Sequence, residues 1–201
     1  MMKIGILGGT FNPIHNGHIA MAETAYRELA LDKVLFMPTG NPPHKEAILD
    51  ASHRCNMIEL AIKGRDYFEL SDFELKRDGV IYTAETLKLL CQQNPDVLYV
   101  FIMGADSFLN INDWYHPERI CRYSHIAVCA RDKVRERMLY MQRNCLKKLY
   151  NANVSILNFE CIDISSHNIR ETIGNTKSTD SVADMLHPDV AAYITREGLY
   201  I

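Results

Sequence analysis

Short, unbroken apolar runs alternate with mixed segments of helical character along nearly the whole chain. Apolar runs at residues 4–7, 33–38, 97–103, 125–130 and 154–159 predict strands, and residues 68–76 predict one or two short ones. Helices are predicted at residues 19–26, 51–63, 83–93, 134–150, 168–173 and 188–196. Strand and helix taking turns points to an α/β fold around a parallel sheet. The run at 97–103, apolar throughout, suits a central strand covered on both faces. The polar stretch 174–181 reads as a surface loop, and there are no repeats, low-complexity tracts or linkers.

In open sheets of this kind, ligands gather beyond the carboxyl ends of the strands, near the switch in strand order. The residues that follow the predicted strands are 8–18, 39–45, 104–106, 131 and 164–166, and they are also the chemically richest stretches. First among them is Gly8-Gly9-Thr10-Phe11-Asn12-Pro13-Ile14-His15-Asn16-Gly17-His18, between a strand and a helix. Its glycines let backbone approach a ligand, and a helix start offers N–H groups and a positive dipole end to an anion. His15 and His18 can each donate to a phosphate oxygen, and either can carry a proton as charge builds up.

The other stretches are less telling singly. Asn41-Pro42-Pro43-His44-Lys45 holds a cation on a stiff arm, which lowers the entropic cost of aiming it at a phosphate. Thr83, after Asp78-Gly79-Val80-Ile81-Tyr82, is placed to cap a helix. Gly104-Ala105-Asp106-Ser107 follows the central strand, and Trp114, before Tyr115, is the single tryptophan. Ile164-Ser165-Ser166-His167-Asn168-Ile169-Arg170 starts a helix, so its hydroxyls and N–H groups suit an anion, with Arg170 one turn on. Each has a plain structural alternative: a solvated lysine, two helix caps, a core aromatic and a surface arginine.

At 201 residues the chain fits one domain with a full hydrophobic core. A net charge of −3 argues against a general nucleic-acid binder, yet permits an anionic ligand where a few cations converge. The six cysteines, Cys55, Cys91, Cys121, Cys129, Cys145 and Cys161, form no Cys-x-x-Cys pair and read as small core residues in a reducing compartment. The start runs straight into a strand, with no signal-like segment and no long apolar span, so the expectation is a cytoplasmic protein away from membranes.

The first stretch resembles the nucleotidyltransferase signature, Gly-Gly-Thr-Phe-Asp-Pro followed by His-x-Gly-His, with Asn12 in place of Asp. Pro42-Pro43-His44-Lys45, Tyr82-Thr83, Gly104-Ala105-Asp106 with Trp114, and Ile164-Ser165-Ser166 with Arg170 resemble, in order, motifs of bacterial nicotinate-nucleotide adenylyltransferases. His167 stands where that family has Thr, and Ile81 where it has Ser. The likeness runs from Lys3 to Tyr200. It implies a Rossmann-like, doubly wound, mostly parallel sheet with helices on both faces. The implied reaction joins the adenylyl group of ATP to nicotinate mononucleotide, with Mg²⁺ carried by the ATP and no dedicated metal site.

The resemblance also implies roles. His15, His18, Lys45 and Arg170 are the expected catalytic residues. ATP is expected at Gly8, Gly9, Thr10, Phe11, His15, His18, Gly104, Asp106, Arg131, Ile164, Ser165, Ser166 and Arg170. The mononucleotide is expected at Thr10, Asn41, Lys45, Tyr82, Thr83, Asp106, Trp114 and Tyr115, with its carboxylate on backbone N–H groups near Thr83 and its ring on Trp114. Pantetheine-phosphate adenylyltransferases and cytidylyltransferases share the end motifs without the Tyr82-Thr83 and Trp114 context. A class I aminoacyl-tRNA synthetase shares paired histidines, but this chain lacks a Lys-Met-Ser-Lys-Ser motif. A nucleotide sensor without catalysis is the alternative of another class, and the presence of both histidines, Lys45 and Arg170 argues against it. Oligomeric state is left open.

Overall fold

The computed structural model describes residues 1–40, 48–130, 136–159 and 164–201. Its centre is a six-stranded sheet in the order β3-β2-β1-β4-β5-β6. The strands are β1 (Met2–Gly9), β2 (Lys33–Pro38), β3 (Phe68–Leu70), β4 (Val97–Gly104), β5 (His125–Cys129) and β6 (Val154–Leu157). Every neighbouring pair is parallel, with Ile6 opposite Leu35 on one side and Phe101 on the other.

Helices cover both faces, as the apolar runs predict. Side chains alternate along a strand, so β1 and β4 feed two cores at once. Ile4, Ile6, Tyr99 and Phe101 face the core under α3 (Thr83–Gln93), α5 (Pro117–Tyr123) and α6 (Glu136–Tyr150). Leu7, Val100 and Ile102 face the core under α1 (Asn16–Glu28), α2 (Ala51–Ile62), α7 (Ser166–Thr176) and α8 (Pro188–Arg196). Between β4 and α5 lies the short α4 (Ala105–Leu109). Gly5 makes room for this packing: a β-carbon there would sit 2.8 Å from the Leu31 side chain, which would have to shift. Strand order reverses between β1 and β4, so the loops leaving their carboxyl ends part and open a crevice.

Three predicted bounds need correction, and one helix was not predicted. Of 68–76 only β3 is strand, because Lys76 N–H bonds Asp72 O and Arg77 N–H bonds Glu74 O, folding the rest into turns. Strand β6 stops at Leu157, two residues early. The predicted loop 174–181 shrinks, since α7 runs to Thr176 and a 3₁₀ turn covers Asp180–Met185. Helix α5 was not predicted, and its seven residues are held by burial of Ile120 and Cys121. Among the described residues, no helix is long and apolar enough to cross a membrane.

Candidate active site

The crevice is built on the turn after β1. Phe11 takes a left-handed backbone (φ 48°) and buries its ring against Gly9 and edge-on to His18, with ring centroids 5.0 Å apart. His15, buried, is the N-cap of α1, and its backbone N–H donates to Nδ1 of His18 at 3.2 Å. An accepting Nδ1 assigns the proton of the neutral ring to Nε2, so His18 carries a donor on its far side. The two imidazoles stack with centroids 3.7 Å apart. Spacing alone put both histidines at the helix start, and the fold brings them into contact.

Three further segments fasten this turn. From α7, the Ser166 hydroxyl donates to Pro13 O at 2.8 Å, and Arg170 Nη1 donates to Asn12 O at 2.7 Å and Ser166 O at 3.1 Å. Ser165 caps α7, its hydroxyl oxygen accepting from Asn168 N–H. The Ser166 proton is therefore committed to the loop, which leaves its backbone N–H for an anion, while Ser165 keeps its O–H. From the C-terminal tail, the Tyr200 hydroxyl donates to Asn12 Oδ1 at 2.8 Å. Burial pushes this phenol far up, so it remains a donor at any working pH. From α2, the buried Arg54 donates through Nη1 to Thr10 O and Thr39 O, 3.0 Å each, and through Nε to Leu49 O.

Opposite the turn, a cleft of about 650 Å³ runs from Gly8, Gly9 and Thr10 to Trp114 and Tyr115. Its size suits a nucleotide-like ligand. The lining is mostly apolar, with Ile6, Met37, Ile81, Leu87 and Phe101 below. Tyr82, at the N-cap of α3, stacks on Tyr115 with centroids 4.2 Å apart, and Trp114 meets Phe101 edge-on. Thr83 is the first residue of α3, so the helix start faces the cleft. The buried Glu74 lines the same space, its Oε1 accepting from the Thr86 hydroxyl at 2.7 Å. Thr86 in turn accepts from Arg77 Nη1 at 2.9 Å. Burial pushes the Glu74 carboxyl up, opposed by Thr86 and Arg77.

The structure thus gathers Gly8, Gly9, Thr10, Phe11, His15, His18, Ser165, Ser166 and Arg170 at one end and Tyr82, Thr83, Trp114 and Tyr115 at the other. Gly104 is the N-cap of α4, and Asp106, exposed in its first turn, stands beside the cleft-lining Ser107. Ile164 is buried in the core, so only its backbone can face a ligand. The exposed His167 side chain lies toward Glu171, 3.9 Å away, not toward the loop that Arg170 holds. Asn41, Lys45 and Arg131 lie outside the described residues. Sequence reasoning missed Arg54, Glu74 and Tyr200. Arg54 left one signal, an arginine in helical register with the buried Met57, Ile58 and Ala61. Among the described residues, no group of three His, Cys, Asp or Glu is placed to hold a metal ion.

A parallel sheet in this order, with a glycine turn and stacked histidines at its switch point, has the architecture of a nucleotidyltransferase. The cytidylyltransferase-like family profile matches residues 6–172. A probable nicotinate-nucleotide adenylyltransferase of Lachnoclostridium phytofermentans is 36% identical over 203 residues, covering 100% of both chains. A second of that name, from Clostridium botulinum strain Alaska E43, is 39% identical over 182 residues and 90% of each chain. A solved nicotinic acid mononucleotide adenylyltransferase of Plasmodium falciparum, complexed with NaAD, superposes with a TM-score of 0.82 at 18% identity, covering 100% of this chain and 98% of that one. The chain belongs to the cytidylyltransferase-like family, among its nicotinate-nucleotide adenylyltransferases.

Proposed function

We propose that this chain transfers the adenylyl group of MgATP to nicotinate mononucleotide, releasing deamido-NAD and pyrophosphate. One observation carries the reading: a phosphate-type turn and an aromatic cleft capped by a helix start are one continuous space. A 5′-phosphate oxygen of the mononucleotide attacks the α-phosphorus of ATP in line, and the bond from that phosphorus to the pyrophosphate oxygen breaks. No group on the protein is adenylylated on the way. Such chemistry is mostly positioning and stabilisation of charge.

His18 donates through Nε2–H to an α-phosphate oxygen, and His15 holds the neighbouring phosphate. Arg170 keeps one nitrogen on the loop and offers its remaining N–H groups to the leaving pyrophosphate, beside the Ser165 and Ser166 backbone. Lys45 neutralises charge between the reacting phosphates, and Arg131 belongs with the ATP. Gly104 and Asp106 take ribose hydroxyls, Asp106 as acceptor. Trp114 stacks on the pyridine, with Tyr82 and Tyr115 beside it, and N–H groups at Thr83 take the carboxylate. The magnesium arrives with ATP as part of the substrate.

Incubation with MgATP and nicotinate mononucleotide should yield a product with the mass of deamido-NAD and one pyrophosphate per product. ATP made chiral at the α-phosphorus should give inversion. Retention would overturn direct transfer, and product formation with pantetheine phosphate instead would overturn the substrate.

A further inference from the structure

Glu74 is an unusual neighbour for a cleft that takes an anionic base. It lies on the turn after β3 and is only 8% exposed, yet it lines the cleft beside α3. Gly40 fixes this turn: a β-carbon there would sit 2.8 Å from the Glu74 carbonyl oxygen, so no side chain separates the end of β2 from it. The carboxyl receives one hydrogen bond among the described residues, from Thr86, itself 2% exposed. Its countercharge, Arg77, reaches it only through that hydroxyl. A buried carboxyl paired this indirectly contributes poorly to stability, and such groups cluster at functional sites.

Resting on the reading above, we infer that the Glu74–Thr86–Arg77 relay sets how strongly the cleft prefers an acid base over its amide. Thr86 lies one turn into the helix whose start takes the base carboxylate, and Glu74 and Thr86 line the same cleft as Thr83, so both relay charges act on that carboxylate. Arg77 favours the anion and Glu74 opposes it. A neutral amide feels neither to first order.

The test is kcat/KM for nicotinate mononucleotide and for nicotinamide mononucleotide at saturating MgATP. Glu74→Gln keeps an acceptor for Thr86 but removes the charge, and should raise the acid-to-amide ratio about tenfold. Arg77→Gln should lower it about tenfold. The double variant should return near the wild-type ratio. Loss of packing alone would not move the two ratios in opposite directions. Ratios that stay fixed, or that shift the same way, overturn the inference while leaving the reaction standing. Melting curves report whether Glu74→Gln folds, and if it does not, Arg77→Gln alone decides by its sign. Wild-type protein that turns over neither mononucleotide overturns the functional reading and the inference together.

Discussion

At the proposed phosphate end of the cleft, side chains from α2, α7 and the C-terminal tail converge on one loop, whereas the proposed base end is walled by aromatic rings. Arg54, Ser166, Arg170 and Tyr200 all donate to oxygens of residues 10–13. At the base end Tyr82 stacks on Tyr115, Tyr115 meets His116 edge-on, Trp114 meets Phe101, and Tyr115 is 47% exposed. The contrast follows from the tasks. Phosphoryl chemistry needs donors fixed before charge develops, and a loop whose carbonyls are drawn inward holds its N–H groups in place. A flat ring needs only apolar faces and one fixed helix start, so its walls can be less rigidly tied.

Substitutions at the two ends should therefore fail differently. The largest effect is expected from His18→Ala, with kcat reduced about 10²–10³-fold by loss of a donor to the reacting phosphate. KM for the mononucleotide should change little, and a proportional rise in that KM would erase the division between the ends. Arg54→Met comes next. It removes the hydrogen bonds that the buried Arg54 gives to Thr10 O, Thr39 O and Leu49 O, at a cost of about 3 kcal/mol. For a chain of this size that lowers Tm by about 6–12 °C, readable by calorimetry.

Trp114→Ala probes the other end. Losing a stacking partner should raise KM for the mononucleotide about tenfold, with kcat and the KM for ATP near wild type in steady-state assays. Smallest is Tyr200→Phe, which removes one hydrogen bond to Asn12 worth about 1 kcal/mol. Its Tm should fall by about 2–4 °C, and a larger fall would mean that the tail organises the loop rather than merely closing it.

What the sequence disclosed and withheld follows the range of the interactions. A strand covered on both faces must be apolar throughout, so β4 is legible from seven residues, and the parallel sheet follows from the alternation. The glycine turn and the histidine pair are legible because they act within one turn of chain. Helix α5 escaped because seven residues carry little periodicity and its register comes from the core it meets. The turn at 73–76 escaped for a local reason, the backbone bonds that Asp72 and Glu74 accept, which override an alternating pattern. Of the residues that lock the phosphate loop, Ser166 and Arg170 sit in a legible motif, whereas Arg54, 44 positions from Thr10, and Tyr200, 188 from Asn12, carry no local sign of that contact. Glu74 looked like one more acid in a charged stretch until the fold buried it against Thr86.

The most direct test of the whole account is pyrophosphate release with MgATP and either nicotinate mononucleotide or nicotinamide mononucleotide, measured in parallel. Strong preference for the acid is the predicted result, because helix-start N–H groups near Thr83 favour a carboxylate over an amide. Equal use of the two would contradict the assignment of the aromatic cleft, and turnover of neither would contradict the reaction itself.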